Sequence, residues 1–210
     1  MVTVVSYYTK NSLYEKEVED LKKSLEDLKI DFEIDGIEDL GSWQKNCFYK
    51  PQFLLEKLEK FKKPILWIDA DAVVVKPLKY FETVKEDIAI RKVKGNVLTG
   101  TIFSNYNKRV VKLLESWKKR CDKEKRKDIL EQQCLDEVLK EEFFNNNIKI
   151  KELDPIYCFI FSEKLKKGKI VICHFQASRF KGENFKNLFL KDVSFLKNLS
   201  SLELKLLRCK

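Results

Sequence analysis

The chain has 210 residues, 44% of them apolar and 12% aromatic, which excludes intrinsic disorder and leaves room for one α/β domain with a full core. Its 42 Lys and Arg against 33 Asp and Glu give a net charge of +9, yet the charges are mingled, as in KKRCDKEKRKD, and read as solvated helix faces. No nucleic-acid-binding motif occurs and no apolar segment approaches membrane-spanning length, so neither nucleic acid nor a transmembrane segment is expected.

In chain order, VTVVSYY predicts a first strand, LYEKEVEDLKKSLEDLK an amphipathic helix and IDFEID an alternating second strand, a β-α-β opening. KPQFLLEKLEKF predicts a helix with proline in its first turn, leading through KKP into the strand PILWID. IAIRKV and NVLTGTIFSN follow as strands, then the helices KRVVKLLESWKKRC and ILEQQCLDEVLKEEF, then the strands IKIKEL and KIVICHF. The tail NLFLKDVSFLKNLSSLELKLL is amphipathic and partly helical in pattern. There is no repeat, low-complexity linker or break in composition. Strands alternating with helices predict a central, mostly parallel sheet with helices on both faces, and a ligand beyond the carboxyl ends of its strands.

The six cysteines, Cys47, Cys121, Cys134, Cys158, Cys173 and Cys209, form no C-x-x-C pair, and several lie among apolar neighbours. They predict reduced thiols in a cytoplasmic protein, and MVTVVSYYTK lacks the basic leader of an export signal.

One stretch, PILWIDADAVVVKP, puts two carboxylates into an apolar run. Asp69 and Asp71 fall at the carboxyl end of a strand buried on both faces, and on extended backbone they share one side. Like charges so close raise each other's cost of ionising unless a cation lies between them, and a hard metal ion would resolve the conflict.

KPQFLLEKLEKFKKPILWIDADAVVVKPL resembles the core of GT-A-type nucleotide-sugar glycosyltransferases, in particular the glycogenin-like and lipopolysaccharide galactosyltransferase branch. There a basic residue opens a helix that precedes an apolar strand ending in Asp-x-Asp. Further along, VLTGTIFSN resembles the strand with a central glycine under the donor sugar, and EQQCLDEVL the helix start near the reacting sugar. LDPIYCFIF resembles a Leu-Pro-x-x-Tyr-Asn segment, and ICHFQASRFK the C-terminal His-Phe-x-Gly-x-x-Lys element. Glu131 and Gln133 stand where that branch has aspartates around Gln132, and Ala177 where it has glycine.

The resemblance implies one Rossmann-like GT-A domain over residues 1–185, followed by an amphipathic segment, 186–210, packed on that domain or on a partner. It implies a sugar moved from a nucleoside-diphosphate sugar, UDP favoured, to a glycan or other hydroxyl acceptor, with retention of anomeric configuration. Asp69 and Asp71 would be catalytic and hold Mn²⁺, or less comfortably Mg²⁺, together with His174, and Asp69 would also contact ribose. Gln132 would line the reacting face of the sugar. Ser6, Tyr7, Tyr8 and Thr9 would hold base and ribose; Lys50, Ala70, Gly100 and Thr101 would line the donor; Arg179 or Lys181 would meet phosphate. By itself Lys50 reads as one more solvated lysine, and Tyr7 or Tyr8 as packed strand aromatics.

His174 is the lone histidine, and at the end of an apolar strand such a residue reads equally as a satisfied core side chain. If it binds metal, protons compete for the same nitrogen, and metal affinity falls below roughly pH 6. Glu131 and Asp154 are conceivable general bases for an inverting reaction. ILWIDADAVVV also resembles the first motif of haloacid-dehalogenase-like phosphatases, with Asp69 as nucleophile, although no later Gly-Asp-x-x-x-Asp stretch completes it. A non-catalytic basic interaction module would account for the tail and leave Asp69 and His174 without a role.

Overall fold

The computed structural model describes residues 2–160 and 170–175. Arg179, Lys181, Ala177, Cys209 and the segment 186–210 lie outside the described residues, as does the domain boundary near 185.

The elements run β1 (Thr3–Thr9), α1 (Leu13–Asp27), β2 (Phe32–Ile37), α2 (Trp43–Phe48), α3 (Lys50–Phe61), β3 (Ile65–Ile68), β4 (Ala72–Val74), β5 (Ile88–Val93) and β6 (Asn96–Ser104). There follow α4 (Lys108–Lys123), α5 (Glu131–Lys140), α6 (Glu142–Asn147), β7 (Ile150–Glu152), β8 (Phe159–Ile160) and β9 (Ile172–His174). Local chemistry sets the helix boundaries. Ser12 caps α1 by accepting from the Tyr14 amide, and the Asn107 side chain caps α4 by accepting from Arg109 and Val110. Pro51 occupies the first turn of α3, and Lys62 ends that helix in a left-handed conformation, φ 49°.

The central sheet has the order β2-β1-β3-β6-β5-β7. β1 pairs in parallel with β2 and β3, and β5 with β7, whereas β6 runs antiparallel to both β3 and β5. Alternation along each strand feeds two cores. Val5, Tyr7, Ile65, Trp67 and Ile90 face one side with α3, α4 and α5; Val4, Leu66, Ile68, Ala89 and Phe103 face the other with α1. That second face is completed by a three-stranded sheet, β4-β9-β8, against which α1 also packs through β4. Helices therefore lie on both faces, and on one of them a small sheet shares the covering.

The sequence expectation differs from the structure in three places. The apolar run through Asp69 and Asp71 is two strands in two sheets, β3 and β4, because the chain turns between them, with the Ala72 amide donating to Asp69 O at 3.1 Å. The predicted helix ILEQQCLDEVLKEEF is two, α5 and α6, since Glu141 is extended at ψ 139°. α2 and β8 have too few residues to produce a period. Among the described residues no helix is long and apolar enough to cross a membrane.

Candidate functional site

The turn Asp69–Ala70–Asp71 is pinned between the two sheets. From the central sheet Gly100 O on β6 accepts the Asp69 amide at 2.9 Å, and from the small sheet the Phe175 amide donates to Asp71 O at 3.1 Å. β9 pairs antiparallel with β4, placing His174 opposite Ala72. Neither sheet alone would bring the two aspartates and the histidine together. One ligand atom from each of Asp69, Asp71 and His174 lies within 4.8 Å of the others, and among the described residues this is the one group of His, Cys, Asp or Glu so arranged. The aspartates come together through a turn and not through the same side of an extended strand.

His174 is fully buried, and its Nε2 is 2.9 Å from Thr101 Oγ1. Its Nδ1 has no hydrogen-bond partner among the described residues. Burial lowers the imidazole to about 4; Asp69 opposes that shift, and Lys50 and Arg91 reinforce it. The ring is therefore neutral at physiological pH. With its proton on Nε2, donated to Thr101, the lone pair on Nδ1 is left for a metal, the tautomer that a ligating histidine requires. Gly100 makes room for this ring, since a β-carbon there would lie 3.0 Å from His174 Cε1 and 3.1 Å from Nδ1. The residues fit a divalent metal of the Mn²⁺ type, with two carboxylates and one neutral imidazole as donors.

Behind the aspartates lies a buried lysine. Lys50, in the first turn of α3, donates to Asp69 Oδ1 at 2.9 Å, to Glu131 Oε1 at 2.8 Å and to Thr99 O at 3.2 Å. Burial opposes its charge, but the two carboxylates outweigh that and raise it, so it stays an ammonium. Thr99 Oγ1 also donates to Glu131 at 2.8 Å, and Trp67 Nε1 donates to Asp69 Oδ1 at 2.8 Å. Both bonds to Asp69 fall on Oδ1, which fixes the carboxylate and leaves Oδ2 outside them. Asp69, Asp71 and Glu131 outnumber the two nearby cations, the Lys50 ammonium and the Arg91 guanidinium, an excess of negative charge that a divalent cation would offset.

These groups line an open cavity of about 190 Å³. Of the residues singled out from sequence, Tyr7, Tyr8, Thr9, Lys50, Asp69, Ala70, Asp71, Gly100, Gln132 and His174 border it. Ser6 is fully buried and does not border it, and Thr101 meets it only through His174. Tyr7 is packed among Tyr49, Phe53 and Trp67, its hydroxyl donating to Asn46 O at 2.5 Å. Burial raises its pKa, so it is a neutral wall residue. Tyr8 covers Gly36 on β2, where a β-carbon would meet its ring at 2.9 Å. Asp154 caps a 3₁₀ turn by accepting from Ile156, away from the cavity.

The wall formed by Tyr14, Trp43, Cys47 and Cys158 gave no sequence signal. Trp43 and Cys47 belong to a six-residue helix too short for a periodic pattern, and Trp67 reads as a strand core residue although its indole nitrogen reaches Asp69.

No protein-family model matches the sequence, and no curated protein matches it. The fold does match solved structures. A glycosyltransferase involved in the glycosylation of the major capsid of PBCV-1 superposes with a TM-score of 0.61 at 17% identity, over 85% of this chain and 96% of that one. The glycosyltransferase GlyE of Streptococcus pneumoniae TIGR4 gives 0.58 at 14% identity, over 94% of this chain and 62% of that one. The galactosyltransferase LgtC, solved with donor and acceptor sugar analogs, gives 0.55 at 9% identity, over 98% and 100%. The chain has the GT-A glycosyltransferase fold.

Proposed function

We propose that this protein is a metal-dependent glycosyltransferase that moves a sugar from a nucleoside-diphosphate sugar, UDP favoured, to an acceptor hydroxyl with retention of configuration. The observation that carries the proposal is the convergence of Asp69, Asp71 and the Nδ1 of a neutral His174, unpartnered among the described residues, beside the cavity, in a chain with this fold. When bound, Mn²⁺ would act there as a Lewis acid for the charge that develops on the departing diphosphate.

The chain's own residues supply the rest. Lys50 and Trp67 hold the Asp69 carboxylate before any ligand arrives, so little reorganisation remains at the moment of reaction. The Thr101 hydroxyl can accept from His174 Nε2, the direction that would leave Nδ1 for a metal. Gln132, at the start of α5 and half-buried, borders the space where a transferred sugar would lie. Glu131 accepts from both Lys50 and Thr99, an arrangement that keeps it occupied and does not suit the mobile general base of an inverting displacement. The five cysteines among the described residues are free, four of them buried, which accords with a reducing, cytoplasmic setting.

The test is calorimetry of UDP and of UDP-sugars with Mn²⁺ and with EDTA. Binding that is lost in EDTA is expected, whereas equal affinity in both removes the metal from the proposal. The phosphatase alternative is not favoured, because Asp69 Oδ1 already accepts from Lys50 and Trp67 and the matching folds are glycosyltransferases. Phosphomonoester turnover abolished by Asp69→Asn would reverse that ranking.

A further inference from the structure

Trp43 is 47% exposed, while the other two tryptophans, Trp67 and Trp117, are buried. A large exposed aromatic is unremarkable alone, but this one borders the cavity. Its indole is held in place, since Nε1 donates to the Tyr14 hydroxyl at 3.0 Å, which ties α2 to the start of α1. The neighbouring Gln44 side chain donates to the carbonyls of Arg126 and Ile129 at 2.7 and 2.5 Å, tying α2 to the approach to α5. The indole thus stands on a braced support with its one polar atom already used. What it offers is its apolar ring surface.

The placement of that surface follows from helix geometry. Tyr49, between α2 and α3, is itself helical at φ −69°, ψ −20°, so residues 43–61 form a nearly continuous rod. Trp43, Asn46, Cys47 and Lys50 are spaced i, i+3, i+4 and i+7, and all four border the cavity, so one face of the rod lines it from mouth to floor. Seven residues at about 1.5 Å each set the tryptophan about 10 Å above Lys50. Lys50 lies beside Glu131, at the floor where the proposed function puts the transferred sugar. The rod therefore has room for that sugar and, above it, for the ring that receives it.

We propose that Trp43 is the platform of an acceptor subsite, and that the acceptor is a carbohydrate whose ring lies with its C–H face against the indole. This inference rests on the glycosyltransferase reading. A sugar ring has an apolar face that matches an aromatic surface and an edge of hydroxyls that needs polar neighbours, here Tyr14 and Gln132. A fully apolar acceptor would give the Gln132 amide nothing to bond on the ligand.

Trp43 alone of the three tryptophans is exposed, but Trp67 also borders the cavity, so affinity is read by calorimetry, which does not depend on the indole being present. The experiment titrates the full chain, with UDP and Mn²⁺ present, with methyl β-galactoside, methyl α-glucoside, lactose, maltose and N-acetylglucosamine. At least one of these is expected to bind saturably, to lose at least about tenfold in affinity in Trp43→Ala, and to stay within about threefold in Trp43→Phe, which keeps an aromatic face. No response to any saccharide overturns the proposal. A response to UDP alone, with UDP affinity falling in Trp43→Ala as far as saccharide affinity, also overturns it and makes Trp43 a nucleobase platform. Failure of UDP to bind with Mn²⁺ in the unaltered protein is the separate result that defeats the glycosyltransferase reading itself.

Discussion

Two lysines of α3, Lys50 and Lys57, stand two turns apart on the same helix, both buried and both joined to two carboxylates. Lys50 meets Asp69 and Glu131. Lys57 meets Glu33 and Asp35 on β2, with Lys60 sharing Glu33. In composition the two clusters are nearly identical, and in environment they are not. The partners of Lys57 line the outer strand of the sheet, 27% and 44% exposed, where water screens them. Glu131 is 7% exposed, and Asp69 is also held by Trp67 and stands beside Asp71 and His174. A buried ion pair therefore does not mark a site. What marks it is a carboxylate that belongs at once to the ion pair and to a second set of convergent groups.

Substitution of the two lysines tests the distinction most strongly. Lys50→Met leaves Glu131 buried without its cation and is expected to cost about 3–5 kcal/mol in denaturant unfolding, with loss of UDP and Mn²⁺ binding. Lys57→Met is the matched control, and its cost appears last in order of size. Equal losses of stability and of UDP binding in the two variants would erase the contrast.

The next effect is on pH dependence. Unfolded, His174 takes up a proton near 6.5, and folded only near about 4, so between these values the unfolded state binds more protons and stability falls as pH drops. Metal-free melting curves are expected to lose roughly 3 kcal/mol in full across that window, and His174→Gln to flatten the slope. If His174 holds the metal as proposed, proton competition for it would move down as well, below the value near 6 that an ordinary imidazole would give. Retention of Mn²⁺ affinity in His174→Gln at neutral pH would remove the imidazole from the metal site.

Gly100→Ala sharpens the same boundary from the other side. Its β-carbon would press on His174 at 3.0 Å, which is expected to cost about 1–3 kcal/mol and to weaken Mn²⁺ binding by turning the ring. An unchanged Mn²⁺ affinity would mean that the ring does not need its present place. Smallest is Lys57→Met, expected to cost about 1 kcal/mol or less with UDP binding retained, as calorimetry beside a melting curve would read.

Much of this was legible in the residues. Apolar runs marked β1, β3, β5 and β6, the proline start marked α3, and Asp69 and Asp71 stood out because a strand core does not otherwise carry carboxylates. The turn between them was not legible, since Val73 and Val74 continue the apolar pattern while changing sheets, and hydrophobicity records burial without saying against which layer. Lys50 looked like any surface lysine because its partners, Asp69 and Glu131, lie 19 and 81 positions away. Trp43 carried no signal because exposure beside a cavity depends on how α1, α2 and α5 are tied together.

The pairing of β4 with β9 also sets an order of events on the ribosome. The described strands of the central sheet have all been synthesised once β7 has emerged, whereas Thr101 must wait 73 residues for His174. Loop closure over that distance is slow compared with forming neighbouring hairpins such as β5–β6. Nascent chains that have released β7 but not β9 would already hold Asp69 and Lys50 near their final places while lacking the imidazole. Synthesis thus builds the scaffold first and adds the imidazole of the proposed metal site only with the final described strand, so on that proposal metal capture would come late in translation.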